Sequence, residues 1–234
     1  MKKIKFNAIG KYAFKIQDKP VSAKDKLPEW FKKSPMFYPE KNLKIGNGAL
    51  TNQTFRKCVP MLDAFSIGYV VELEADINVE EMNEKEFNLT WKMDNDLFEL
   101  HGNTTHLMET PSGYYEQVIK YNWLVVPETP KGYSLLVIPA LAYPDNVFQA
   151  VPAVIDSDEY LFNFSLPVWL KKGFTGIVEK GTPIAQIIPF KRDNWESSYN
   201  MIDDYEYKLH QQKSHNTTIV NNYFKYFWKR KKFK

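Results

Sequence analysis

Thr129-Pro-Lys-Gly-Tyr-Ser-Leu-Leu-Val-Ile-Pro139 is a turn signal, Pro130-Lys-Gly132, followed at once by a run of β-formers that a second proline closes. The same texture extends in both directions, from Leu50 to about Arg192: short runs rich in Val, Ile, Tyr, Phe and Trp, alternating with period 2 and broken by Gly, Pro, Asn and Asp. The runs 54–59, 68–73, 77–79, 87–93, 116–126, 133–138, 153–155, 160–168, 174–178 and 184–190 are the predicted strands. No helical pattern lies between them to carry a crossover, so the region predicts a sandwich or barrel and not alternating βαβ units.

The flanks read differently. Residues 1–50 carry Pro20, Pro28, Pro35 and Pro39 among many lysines, and no 3.6-residue apolar period survives beyond a turn or two, which predicts an extended arm. Its anchor is Leu27-Pro-Glu-Trp-Phe31, with Pro28 in a helical first turn and Trp30 and Phe31 laid on the body. After Arg192, Asp193 offers an N-cap, and Ile202, Tyr205 and Leu209 in 201–212 recur at helical spacing. The expected division is an arm (1–50), a β domain (51–192) and a helical, aromatic and basic extension (193–234).

The chain has 234 residues, of which 44% are hydrophobic and 25% charged, an ordinary globular balance that excludes disordered and fibrous classes. No apolar run is long enough to cross a membrane, and Met1-Lys-Lys-Ile-Lys has no apolar block behind it, so neither a membrane partner nor a signal peptide is expected. Cys58 is the only cysteine, which excludes an internal disulfide; with it, the sequons at Asn52, Asn88, Asn103, Asn163 and Asn216 read as chance in a reducing cytoplasm. Net charge is +3, but eight cations and no carboxylate follow Glu206, so the tail carries +8 and residues 1–206 carry −5. The basic tip, Lys229, Arg230, Lys231, Lys232 and Lys234, is expected to be an accessory contact for nucleic acid, weak and sequence-independent, because no second basic face extends it.

Read in order, Thr129–Pro139, Ala153-Val-Ile-Asp-Ser-Asp-Glu-Tyr160, Asn163-Phe-Ser165 and Lys180-Gly-Thr-Pro-Ile-Ala-Gln-Ile-Ile188 resemble the central motifs of the trimeric dUTPase and dCTP deaminase superfamily. That resemblance covers roughly residues 60–190 and implies a mainly β fold of β-clip type, a distorted jelly-roll-like barrel, together with a homo-oligomer, a trimer in that family. A second resemblance covers nearly the whole chain: Leu27-Pro-Glu-Trp-Phe-Lys-Lys33, Lys57–Tyr69, Pro130-Lys-Gly-Tyr133 and Gly181–Arg192 are similar to a family of tailed-bacteriophage and marine viral proteins, which implies a viral origin and brings no activity with it.

If the dUTPase-like chemistry is kept, Asp156 is the carboxylate that activates a water and Tyr160 the ring on the deoxyribose, although one residue more than usual separates them. The competing structural reading makes Asp156, Ser157 and Asp158 a turn that caps backbone amides. The family's Arg-Ser-Ser phosphate segment falls on Pro139-Ala-Leu-Ala-Tyr-Pro144, which has no charge and no hydroxyl before Tyr143. Replacement phosphate or ligand contacts are Gln186, Lys171, Lys172, Lys191 and Arg192. The His101/His106 and His210/His215 pairs lack metal-ligand spacing. Trp91, Trp123 and Trp169 are expected in the core, and Tyr114 and Tyr115 in a contact loop.

Two functions are therefore carried. The leading one is a non-enzymatic viral protein, a virion component or host-interaction factor of virion or host cytoplasm, on a β-clip that has lost its phosphate-binding motif; it needs no cofactor, and its partners are itself or other viral proteins. The alternative is a divergent nucleotide-binding or nucleoside triphosphate pyrophosphatase-like enzyme, with Mg²⁺ as its cofactor.

Overall fold

The computed structural model describes residues 2–16, 20–37, 54–102, 109–214 and 223–233. Pro39, Asn52, Asn103, His106, His215, Asn216 and Lys234 fall outside them. The chain divides into two compact units, one of residues 1–26, 67–192 and 233–234, the other of residues 27–66 and 193–232.

In the first unit, β1 (Lys5–Ala8), α1 (Gly10–Ile16) and β2 (Val21–Ser22) come from the N-terminal stretch. β3 (Tyr69–Glu72), β4 (Ile77–Glu81), β5 (Phe87–Trp91), β6 (Phe98–Leu100), β7 (Ile119–Trp123), β8 (Val125–Glu128), β9 (Tyr133–Pro139), β10 (Phe148–Ala150), β11 (Ala153–Ile155), β12 (Phe164–Leu170), β13 (Gly176–Val178) and β14 (Pro183–Lys191) follow. The mainly β body expected from the sequence is what the structure has. All ladders are antiparallel, in sheets ordered β11-β9-β14-β3-β2, β10-β12-β7-β6, β13-β4-β5 and β1-β8. Inward residues of these sheets, among them Val71, Ile77, Tyr121, Leu135, Leu166, Ile184 and Ile187, form one core. β14 runs through its middle, paired with β3 on one side and β9 on the other, and Pro183–Ile187 are buried without a break because both faces of the strand are covered.

The run 116–126 does not form one strand. It breaks at Leu124, whose N–H turns out of the ladder to Glu74 Oε1 at 3.2 Å while its carbonyl accepts from Ile9 N. Tyr115, expected in a contact loop, is buried against Phe87 with ring centroids 4.8 Å apart.

In the second unit the expected strand 54–59 is helical: a 3-10 turn over Phe55–Lys57, with Thr54 Oγ1 accepting from Arg56 N, leads into α3 (Val59–Ser66). Pro60 stands one residue inside that start, where its missing N–H costs nothing. α2 (Glu29–Lys33) has Pro28 as its cap, and Trp30, Phe31, Phe55 and Phe65 pack edge on or tilted around the buried Phe31. The C-terminal helix, α4 (Asp204–Ser214), is capped by Asp203, which accepts from Tyr205 N, and not by Asp193; residues 192–203 have no regular structure. The tail carries a π-helical turn at Tyr223–Phe227 and is tied to α3 through Asp63, which accepts from Trp228 Nε1 at 2.9 Å and from Lys231 Nζ at 2.5 Å.

Gly68, just before β3, has φ +76°, and a Cβ there would lie 2.1 Å from the Ile187 carbonyl oxygen in β14. Gly132 has φ +82° with open space around it. Gly132→Ala is expected to cost about 1–2 kcal/mol, the left-handed backbone alone, and Gly68→Ala about 3 kcal/mol or more, because β3 must also back away from β14. Urea denaturation of the two variants measures the difference; equal losses would show that the close approach carries no weight.

Candidate functional site

The sequence-predicted residues are divided between several places. At the start of β9, Asp156 and Asp158 meet Arg192, which follows β14. The Arg192 fork reaches both oxygens of Asp158, Nη1 to Oδ1 at 2.8 Å and Nη2 to Oδ2 at 2.5 Å, and Gly132 N donates to the same carboxylate at 2.8 Å. The Asp158 side chain is only 1% exposed. The guanidinium holds its carboxyl at about 2, well below the usual range. Asp156 Oδ1 accepts from Ser134 Oγ at 2.6 Å and from Arg192 Nη1 at 3.2 Å. Ser157 is buried, its hydroxyl 2.8 Å from that of Thr129. The turn is a clasp of charge-assisted bonds joining β9, β11 and β14. Tyr160 sits beyond it, half exposed, its hydroxyl donating to Asn163 Oδ1.

Gln186 is buried in β14 and donates to the Ile67 carbonyl at 2.6 Å. Lys191 is exposed in the last register of β14, opposite Tyr133. Lys171 and Lys172 stand at the other end of β12, tied to Val147, Gly113 and the Tyr115 ring. Residues 140–143 make a tight turn, Tyr143 N to Ala140 O at 2.8 Å, with Ala140 and Ala142 buried and the Tyr143 hydroxyl donating to the Lys26 carbonyl. In the tail, Lys229, Arg230 and Lys232 are exposed, whereas Lys231 is paired with Asp63. Among the described residues, no group of three or more His, Cys, Asp or Glu is placed to hold a metal ion. No helix among them is long and apolar enough to cross a membrane.

A different place has the attributes of a site. A cavity of about 680 Å³ lies over the sheet of β13, β4 and β5 and is bounded by the β3–β4 connection. Its floor is a cross-strand row, Ile177, Asn78 and Thr90, fixed by register and pointing away from the core into which Ile77 and Val79 alternate. Glu74 and Asp76 give it an acidic rim, Lys92 and Lys180 line it as well, and Trp91 and Met93, which pack against the core, reach its edge. The Trp91 N–H donates to the Asn95 carbonyl at 2.8 Å. Asp76 accepts from Lys180 N at 2.8 Å, which sets the rim. Burial pushes the Glu74 carboxyl up to about 7, against the opposing pull of the Leu124 N–H and of Lys180. Trp91 is partly buried and packs against the core, while Trp123 and Trp169 are buried, all as expected.

No protein-family model matches the chain, and no curated protein does. Among solved structures it is similar to a dUTPase of Staphylococcus bacteriophage 80alpha, determined with dUpNHpp, at 13% identity and a TM-score of 0.37 over 87% of this chain and 90% of that one. It is also similar to the dUTPase of phage phi11 of S. aureus, at 10% identity and a TM-score of 0.37, over 87% of this chain and 99% of that one. Values this low leave activity to be decided by this chain's own residues.

The Glu74 shift has a sign. Between pH 4.5 and 7 the folded chain keeps a proton that the unfolded chain has lost, so stability falls as pH rises through that window and levels off above it. Asp158 acts oppositely: its contribution is present above its ordinary 3.8 and is lost as pH falls through about 2. Glu74→Gln keeps an acceptor for Leu124 N and removes the ionisation, so the variant should exceed the parent in stability at pH 8 by about 2 kcal/mol, and the two should converge at pH 4.5. Denaturant midpoints at the two pH values test this; a parent that gains stability from pH 4.5 to 7 relative to the variant would contradict it.

Proposed function

We propose that the chain is a non-enzymatic bacteriophage protein, a virion component or host-interaction factor of virion or host cytoplasm, built on a dUTPase-like β-clip whose phosphate-binding segment is gone. The observations that carry this reading are the engagement of Asp156 by Arg192 and Ser134 at the start of β9 and, after the far end of that strand, a 139–144 turn whose hydroxyl is spent on a backbone carbonyl. A general base needs a free carboxylate oxygen and a phosphate must meet donors; one oxygen of this carboxylate is held by Ser134 and Arg192, and the turn offers a phosphate no charged side chain. Incubation with Mg²⁺ and each nucleoside triphosphate is expected to release no pyrophosphate. Turnover abolished by Asp156→Asn would instead establish the pyrophosphatase-like alternative, with Tyr160 and Gln186 at the base and Lys171, Lys172, Lys191 or Arg192 on the phosphates.

Self-association belongs to the same proposal. In the second unit Trp195, Tyr199 and Met201 are more than nine-tenths exposed, and Phe224, Tyr226 and Phe227 of the tail are exposed as well. So many large rings left in water favour burial against another copy, at ~25 cal/mol per Å². Arm (1–50), body (51–192) and extension (193–234) are then divided between assembly and scaffold, and the basic tip adds weak, sequence-independent attraction for nucleic acid, less one cation held by Asp63. Light scattering is expected to give a trimer for the full chain and a smaller species for a chain ending at Ser214; a monomer in both would refute the assembly.

A further inference from the structure

Between the end of β14 and the start of α4, residues 192–203 form no helix, strand, turn or bend, and every one of them is exposed. Among the described residues, none makes a backbone–backbone hydrogen bond to 194–202. The side chains do little more: Asn200 Nδ2 donates to Ser198 Oγ at 3.2 Å, a bond between near neighbours. The composition of this stretch is selective. From Asp193 to Tyr207 the sequence has no lysine or arginine, in a chain that has 31 of them, and has Trp195, Tyr199, Met201, Tyr205 and Tyr207 instead. Ser197, Ser198, Asn200, Met201 and Ile202 leave Tyr199 in an uncharged window, with carboxylates outside it at Glu196 and Asp203.

A partner that binds extended chain pairs with its free main-chain groups and reads its side chains in pockets. An endoprotease does both, and the pocket for the residue before the cut bond sets which chains it takes: an apolar slot for a large ring, an acidic pocket for Lys or Arg. Chain held in a ladder or helix must first open, and the cost of opening slows cleavage, whereas 194–202 has no backbone bond to break. We propose that residues 193–203 are a processing site for an endoprotease with an apolar specificity slot, cut first after Tyr199. Water adds across the Tyr199–Asn200 peptide bond: the C–N bond breaks, the carbonyl carbon takes the hydroxyl to become the carboxylate of Tyr199, and Asn200 leaves with a free amine. Trp195 is the poorer position because Glu196 places a carboxylate directly across its bond. An acidic pocket would have only Arg192 to take, and that guanidinium is engaged with Asp158. The cut severs the aromatic and basic extension from the β domain. Copies joined through the same rings, as proposed above, shelter the bond, so cleavage falls on single chains.

The test is digestion of the full chain by chymotrypsin and, separately, by trypsin, with the cuts mapped by mass spectrometry. It is run at a dilution where light scattering gives single chains; a chain that never associates refutes the assembly and leaves this result in place. Chymotrypsin is expected to cut after Tyr199 within about tenfold of its rate on a synthetic peptide of residues 191–205, because no opening step precedes the cut. Tyr205 and Phe162 are internal controls, both exposed, the first inside α4 and the second in the short connection from β11 to β12; their bonds should be cut at least about tenfold more slowly. Tyr199→Ser should slow cleavage of the segment about tenfold and move it to Trp195 or Met201, and serine at all three positions should leave the segment uncut. A Tyr199 bond cut about 100-fold or more below the peptide rate, an earlier cut at Tyr205 or Phe162, or a trypsin cut after Arg192 as fast as the chymotrypsin cut would each overturn the proposal.

Discussion

Everything in the first unit depends on β14 having a neighbour on both sides along its buried half. Its ladder to β9 fixes the register from Ala185 to Lys191, and its ladder to β3 requires Gly68 to lie where no side chain fits. A strand covered on both faces cannot alternate polar with apolar, which is why Ile-Ala-Gln-Ile is buried as a block and why its one amide, Gln186, must find a carbonyl. The three places discussed as sites are then set by distance along or away from this strand: the clasp at its end, the Ala-rich turn after β9, and the cavity on the sheet reached from β3 through Glu74.

Glu74 joins fold and surface. One of its oxygens replaces the ladder partner that Leu124 loses where β7 gives way to β8, and the same side chain stands at the rim of the cavity. Tyr121 braces the connection from beneath, accepting from Glu74 N and donating to the Glu72 carbonyl. Removing the carboxylate from water raises its proton affinity, and the backbone amide and Lys180 limit the rise.

The strands were legible where runs were long and alternation clean: 68–73, 77–79, 133–138 and 184–190 lie within a residue or two of β3, β4, β9 and β14. β6 and β10, at three residues each, carry too little pattern to stand out. Phe55 and Val59 alternate with polar neighbours as a strand would, but Thr54 as a cap and Pro60 in a first turn decide for helix. Asp156, Asp158 and Arg192 could be picked out by residue type and motif order; that Arg192 would close on the two carboxylates, making them a strut, required the register of β14 against β9. The cavity was not legible at all. Glu74, Trp91 and Lys180 come from three separated segments, and a carboxylate in a short connection between strands gives no sign in sequence that a remote amide will cover it.

The clasp also has a mechanical meaning. Tension applied through the C-terminal extension enters the body at Arg192 and runs along β14, perpendicular to the ladder bonds on either side of it. The bonds are then strained together in shear and not peeled one after another, and the Arg192 fork on Asp158 is the bolt that must give before the first rung moves.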